Sequence, residues 1–429
     1  MQNEKDIKSY YIYNNDKEDN KISNYELTNN IGFTNIGHTC YMNSFLQILL
    51  HIPTFLPKLK KIHENNIGEN TLIHNLIKLS EYPRNTKYLK EIKKIISIPY
   101  PKYGAYEQND TQNFAVDFID TLITEIKNES SFISESNDSK EKFEIKSVED
   151  NLIYKKKKYE EFLAELEKSG EKTFIEDLFL FIESTIRYKG ILIEQNKVRF
   201  DSLLNVELIF PLDKLKERYT LYEMLDFKYI NGNLISKKIV ISDNKDNIKN
   251  ENIDKQKDKY TYYDYVKSFL HTINIFRFFN CCERKKNNIN AEYINASLHM
   301  NIENPNLSIE NQFKEKEISK IVFLPKILII SFVRGLEGQN LITSSILFEE
   351  ELDLNDYVDN DLIDRNTGTK YKLFAINIRQ GYTKTSGHCY SYVKVKNEWI
   401  CYNDSDAHPE KPSFNLNKVA GLYYIKKNL

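Results

Sequence analysis

Cys40 lies where a glycine-bearing loop meets an apolar-striped stretch, NIGHTCYMNSFLQILLHIP, residues 35–53. If Asn35, Ile36 and Gly37 form a loop and a helix starts near Thr39 or Cys40, the sulfur sits at the positive end of the helix dipole. Backbone N–H groups without intrahelical partners surround it there. A thiolate in that place is stabilised below its free pKa of about 8.5. The same N–H groups, joined by the Asn35 amide, could hold the oxyanion formed when sulfur attacks a carbonyl. Most free cysteines are small buried hydrophobes, so a catalytic reading needs a base elsewhere in the chain.

A second stretch, GYTKTSGHCYSYVKVKNEWICYND at 381–404, offers that base. His388 follows a polar loop bounded by Gly381 and Gly387 and opens a strand. Asn397 and Glu398 mark a turn, and the chain returns to Asn403 and Asp404. With a two-residue turn Asn403 faces Tyr392, on the sheet face of His388, so parity favours Asn403 over Asp404 as the partner of the imidazole. Four residues of strand measure roughly 13 Å, and a bulge or bend must close that gap. An imidazole oriented by an amide or carboxylate can take a proton from a thiol and later return one to a leaving amine. A metal or redox centre built from Cys389, Cys401 and His388 lacks a fourth ligand at suitable spacing.

The elements that must position these groups follow from hydrophobic spacing. Met42, Phe45, Leu46, Leu49 and Leu50 recur with helical period until Pro53. A second helix is predicted over about 110–127, with Phe114, Phe118, Ile119, Leu122, Ile123 and Ile126 on one face and Asp110 as N-cap. Residues 136–172 read as a charged, solvated insertion and 242–259 as a flexible loop. Strands are predicted in 198–210, 326–334, 371–380 and 390–402. Helices first and strands later give an α+β arrangement.

A chain of 429 residues suits either about three domains or one catalytic domain with insertions. Hydrophobic residues at 41% and aromatics at 13% exclude a disordered chain. A net charge of -2 gives no general attraction for nucleic acid or anionic lipid. Cysteines 40, 281, 282, 389 and 401 lack the pattern of a secreted disulfide framework, and the N-terminus lacks a signal-peptide core. The most apolar run, IVFLPKILIISFV, is interrupted by Pro325 and Lys326 and falls short of a membrane span. These features place the chain in a reducing compartment, cytosol or nucleus.

Six stretches in order carry a resemblance. GFTNIGHTCYMNSFLQILL resembles the cysteine box of the ubiquitin-specific proteases, and SGHCYSYVKVKNEWICYNDS resembles their histidine box. EQNDTQNFAVDFIDTL (107–122) is similar to the segment between them. LPKILIISFVRG (324–335), FEEELDLNDYV (348–358) and YKLFAINIRQG (371–381) are similar to the family's palm strands. The resemblance implies an α+β, papain-like cysteine protease fold: a helical thumb at about 29–127, insertions and fingers at about 128–300, and a β-rich palm at about 301–429, behind a flexible tail at 1–28.

It also implies a thiol-dependent deubiquitinase that cuts after the C-terminal glycine of ubiquitin through an acyl-enzyme on Cys40 and needs no cofactor. His388 is then the base, Asn403 its orienter, Asn35 the oxyanion amide and Asp404 the alternative orienter. Asp110 and Gln112 match positions that hold the ubiquitin tail, whose arginines suit carboxylates and whose Gly-Gly end suits a narrow channel. The expected partners are ubiquitin and ubiquitinated proteins, with a larger complex or the proteasome as a further setting, and neither nucleic acid nor membrane. A silent ubiquitin-binding scaffold and an isopeptidase for another ubiquitin-like modifier are the alternatives. His38, Asn113, Arg379 and Cys389 depart from the family's usual Asn, Glu, His and Tyr. Many relatives hold their fingers with two Cys-x-x-Cys pairs around zinc. Here that ligand set is absent, so zinc-free fingers are expected.

Overall fold

A computed structural model describes residues 30–427 apart from 65–67, 129–146, 169, 171, 190, 212–214, 231–232, 235–314, 336–339, 364–366 and 384–385. The expected tail at 1–28, the loop at 242–259, Cys281, Cys282 and much of the expected insertion and fingers span lie outside those residues.

Helices come first: α1 (Cys40–Leu50), α2 (Phe55–His63), α3 (Leu72–Glu81), α4 (Thr86–Ser97), α5 (Thr111–Asn128), α6 (Val148–Lys168) and α7 (Phe174–Phe179). Strands β1 (Phe181–Lys189), β2 (Leu192–Leu203), β3 (Val206–Ile209) and β4 (Arg218–Thr220) lead to α8 (Leu221–Tyr229) and β5 (Asn233–Leu234). The remainder is β6 (Glu315–Phe323), β7 (Ile327–Val333), β8 (Ser345–Leu347), β9 (Glu351–Asp353), β10 (Lys370–Thr383), β11 (Ser386–Val395), β12 (Glu398–Asn403), β13 (Asp406–Pro409), β14 (Asn415–Leu416) and β15 (Val419–Lys426). Among the described residues, no helix is long and apolar enough to cross a membrane.

The main sheet runs β13-β12-β11-β10-β15-β7-β3, with β9 also on β10, and is antiparallel except where β3 joins β7. Period-two alternation gives it two apolar faces. On β7, Ile327 and Ile329 join the core under the N-terminal helices, while Leu328, Ile330 and Phe332 join the core on the other side with α8. On β12, Ile400 and Tyr402 point to the first core, and Trp399 and Cys401 to the second.

Helix α1 is buried along its whole length, sandwiched between the other helices and the sheet. Its apolar stripe meets α5 through edge-to-face aromatics: Phe114 lies 5.3 Å from Tyr41 and 6.0 Å from Phe45, ring centre to ring centre. Such pairs contribute about 0.5–1.5 kcal/mol each beyond area burial, which fixes the helix angle. Buried polar side chains must be paired. Asn43 donates to the carbonyls of Phe33 and Thr34, Gln47 donates to that of Ile31, and Ser44 accepts from Asn377 on β10.

The charged stretch expected to be a solvated insertion is, within 147–168, an amphipathic helix. Tyr159, Phe162, Leu163 and Leu166 of α6 pack on Ile182, Phe200 and Val322 of a second sheet, β2-β1-β6-β5. Lys155 is buried against Asp359 and Asp361 at 3.0 and 2.6 Å. The many charges obscure an apolar spacing of three and four residues that marks one helix face.

Candidate active site

The loop before α1 turns on itself around one amide. Asn35 Oδ1 accepts the backbone N–H groups of Gly37 and Thr39 at 3.0 and 3.2 Å, and Thr39 Oγ1 accepts that of Ile36 at 3.0 Å. Gly37 and His38 adopt positive φ of 107° and 50°; the first is cheap only for glycine, and the second is an uncommon conformation for a side-chain-bearing residue. This tight turn starts the helix at Cys40, which is 2% exposed.

Four donors converge on the sulfur. Gln108 Nε2 lies 2.9 Å from Cys40 Sγ, the backbone N–H of Cys389 lies at 3.3 Å, and the Cys389 thiol and the His388 side chain also hydrogen-bond to it. The Cys389 thiol is the largest single influence and lowers the Cys40 pKa against burial, which raises it; His388, Gln108 and the Cys389 N–H lower it further. Cys389 responds oppositely. Its contact with Cys40 and its burial push its own thiol well above the ordinary range, so it keeps its proton and donates it.

His388 stands at the start of β11, and its Nε2 is 2.5 Å from Asn403 Oδ1. Because an amide oxygen only accepts, Nε2 carries the proton and Nδ1 is the nitrogen left for the sulfur. Contact with Cys40 first, then Asn403 and the charges of Cys40 and Asp404, raise the imidazole to about 9 against the opposing effect of burial. A lowered thiol beside a raised imidazole is a thiolate–imidazolium pair at neutral pH.

The register explains how Asn403 reaches the ring. The turn falls on Lys396 and Asn397, with φ of 49° and 70°, a two-residue hairpin turn one position earlier than expected. Val395 pairs with Glu398 and Tyr392 with Cys401, which sets Asn403 level with Tyr390. The face is the one parity indicated, but the offset from His388 is two residues, within side-chain reach on a diagonal. No bulge is needed.

Asp404 does not orient the imidazole. Its carboxylate accepts from Asn35 Nδ2 at 2.9 Å and from Asn43 Nδ2 at 2.8 Å, so it ties the pre-helix loop and α1 to the turn between β12 and β13. One N–H of Asn35 is thereby used. Asp110 caps α5, its Oδ1 accepting from Gln112 and Asn113 at 2.9 and 3.1 Å, while Oδ2 lies 3.8 Å from Arg379. Gln112 corrects the expectation of a substrate contact. It is 5% exposed and its amide is taken up by Asn377, Ser331 and Tyr423. Gly421 of β15 packs so closely that a Cβ there would meet the Gln112 amide nitrogen at 2.2 Å.

Gln108 was not singled out from the sequence. The signal was present, since it opens the segment containing Asp110 and Gln112, but only folding shows which polar side chain of EQNDTQN faces the thiol.

A buried thiol, an imidazole and an amide oxygen in line, with the thiol at a helix N-terminus and the imidazole on an antiparallel sheet, define the papain-like cysteine protease class of α+β fold. The family model described as ubiquitin carboxyl-terminal hydrolase matches residues 31–424, and the chain belongs to that family. Ubiquitin carboxyl-terminal hydrolase 37 of Sus scrofa is 35% identical over 100 residues, covering 21% of this chain and 10% of the relative. Ubiquitin carboxyl-terminal hydrolase Usp2 of Drosophila melanogaster is 27% identical over 188 residues, 42% of this chain and 18% of the relative. The matched stretch thus spans only a small part of these relatives' length. Among solved structures, a yeast SAGA DUBm superposes with a TM-score of 0.57 at 15% identity, covering 93% of this chain and 69% of that one. The SAGA Ubp8/Sgf11/Sus1/Sgf73 DUB module bound to ubiquitin aldehyde gives 0.56 at 16%, covering 93% and 70%. At such identity the likeness concerns the fold.

Proposed function

We propose that this chain is a thiol-dependent deubiquitinase that hydrolyses isopeptide or peptide bonds after the C-terminal glycine of ubiquitin. The observation that carries the reading is the line Cys40, His388, Asn403, in which Asn403 Oδ1 holds Nε2–H and so turns Nδ1 to the thiolate. Cys40 Sγ attacks the glycine carbonyl, and the C–S bond forms as the carbonyl π electrons move to oxygen. The remaining Asn35 N–H and the backbone N–H at the start of α1 are the proposed donors to that oxyanion. The His388 imidazolium gives its proton to the departing amine as the C–N bond breaks. A water, deprotonated by His388, then cleaves the acyl-enzyme, releasing the ubiquitin carboxylate and Cys40.

Asp110, though it caps α5, keeps a partly exposed carboxylate and is the candidate for an arginine of the ubiquitin tail. Ubiquitin and its conjugates are the proposed partners, a larger complex the proposed setting, and a reducing cytosol or nucleus the proposed location, since the chemistry needs Cys40 as a thiolate.

The test is ubiquitin carrying an electrophile at its C-terminus, applied to the unaltered chain and to Cys40→Ala and Cys389→Ala. An adduct lost only in Cys40→Ala is expected. Absence of adduct with retained ubiquitin binding would replace this reading with a silent scaffold, and reaction only with another ubiquitin-like modifier would change the substrate.

A further inference from the structure

A second constellation of ligating side chains lies on the β12–β13 hairpin, away from the Cys40 sulfur. Cys401 on β12 is directly opposite His408 on β13, and Glu410 continues the same ladder, its N–H bonded to the Trp399 carbonyl at 2.9 Å. Cys401, His408 and Glu410 therefore share one sheet face, and one ligand atom of each lies within 4.8 Å of the other two. His408 Nε2 is 3.2 Å from Glu410 Oε2, while His408 Nδ1 faces Asp406 Oδ2 at 3.1 Å. Tyr392 Oη donates to the other Glu410 oxygen at 3.1 Å.

We propose that Cys401, His408 and Glu410 form a site for one zinc-class divalent cation, with water as fourth ligand. Sulfur, imidazole nitrogen and carboxylate oxygen are a borderline-soft donor set that suits Zn²⁺ over Mg²⁺ or Ca²⁺. In a tetrahedral site with metal–ligand bonds of about 2.0–2.3 Å, neighbouring ligand atoms sit roughly 3.5 Å apart. The nitrogen–oxygen pair already has that spacing. The sulfur must be approached by about 1 Å, and the half-exposed side chains of His408 and Glu410 can supply that movement while Cys401 stays fixed in the sheet. Asp406 on Nδ1 is the outer carboxylate that sets the imidazole tautomer and turns the Nε2 lone pair to the cation.

The partners of Cys401 come from β13, and Cys389, Cys401 and His388 by themselves make no ligand set because Cys389 faces the other side of the sheet. The site differs in place and ligands from a four-cysteine fingers site. Its consequence is mechanical. The hairpin it clamps carries Asn403 and Asp404, the residues that hold His388 and Asn35.

The test uses the full chain with Cys40→Ala, to remove the competing thiolate, stripped with chelator and titrated with Co²⁺. One equivalent should produce the charge-transfer absorption of a cobalt–thiolate bond, and Zn²⁺ should displace it. Cys401→Ser should abolish the band, His408→Ala or Glu410→Gln should weaken binding at least about tenfold, and Asp406→Asn by about tenfold. Zn²⁺ should also raise the Tm of the chain, but not that of the exposed-site variant His408→Ala, which keeps the test usable if Cys401→Ser fails to fold. A thiolate band that survives both Cys401→Ser and His408→Ala, or no band at stoichiometric Co²⁺, would overturn the proposal.

Discussion

Two thiols touch in this molecule, one at the start of α1 and the other at the start of β11, and they behave in opposite ways. Both are buried, so burial raises both pKa values. Cys40 is ringed by donors, the Gln108 amide at 2.9 Å, the Cys389 N–H and S–H, and the imidazole, whereas the same Gln108 amide lies 3.8 Å from the Cys389 sulfur. Cys389 has the developing negative charge of Cys40 as its main neighbour and holds its proton. Reactivity at a buried cysteine is therefore decided by which groups point at the sulfur. The donors that reach Cys40 come from the loop before α5 and from β11, not from its own helix.

The sharpest way to break this comparison is to exchange the two for alanine. Cys40→Ala should lower turnover of a ubiquitin–fluorophore ester by about 10⁶-fold, to the uncatalysed level, and His388→Ala should cost nearly as much because the groups act as a unit. Cys389→Ala should remain an enzyme, with its thiolate titrating at higher pH because the largest lowering contact is gone. An inactive Cys389→Ala that still folds would mean that the two thiols act together in the reaction.

Next in size is Asn403→Ala, expected to cost about 10²- to 10⁴-fold in kcat. It also tests the sign of the imidazole shift. The thiolate–imidazolium pair requires Cys40 deprotonated and His388 protonated, so activity rises with pH through the lowered thiol pKa and falls as pH passes about 9. Removing Asn403 takes away one of the groups that raise His388, and the alkaline limb should move down toward the free imidazole value of about 6.5. Asp404→Asn should move the same limb down less, because only its charge acts on the ring.

Gln108→Ala removes a hydrogen bond to a charged sulfur, worth about 1.5–3 kcal/mol, and should move the acid limb of Cys40 alkylation up by roughly 1 to 2 pH units. Gln112→Ala tests the opposite assignment. It should leave Cys40 alkylation nearly unchanged and destabilise the fold by about 1–3 kcal/mol, measured by denaturant unfolding, because Asn377, Ser331 and Tyr423 lose a shared partner. The smallest effect is expected at Asp110→Ala, about 1 kcal/mol of stability from the lost cap of α5. A rise in KM for ubiquitin beyond that of a fold-matched control would add the tail contact.

The chemistry-bearing residues were legible because their signals are local. A thiol before a run of helical period and a histidine after Gly387 at the opening of a strand state their elements in the neighbouring residues, and parity alone preferred Asn403 to Asp404. The turn position was less legible. Lys396 and Asn397, rather than Asn397 and Glu398, take the two positive-φ places, and the one-residue shift halves the distance that Asn403 must bridge. Parity survives it, since moving a two-residue turn by one position changes the pairing by two.

What the order of residues determined by itself was the set of elements and the side of each that is apolar, because periods of 3.6 and 2 are properties of a local backbone. Which of Gln108, Asp110 and Gln112 meets sulfur, solvent or core was decided only when α5 docked against α1 and β15: three polar side chains within five residues point in three directions, and the choice among them depends on partners some 70 to 310 positions away. The same holds for Asp404, whose two amide partners lie at the far end of the sequence and became neighbours through the packing of α1 on the sheet.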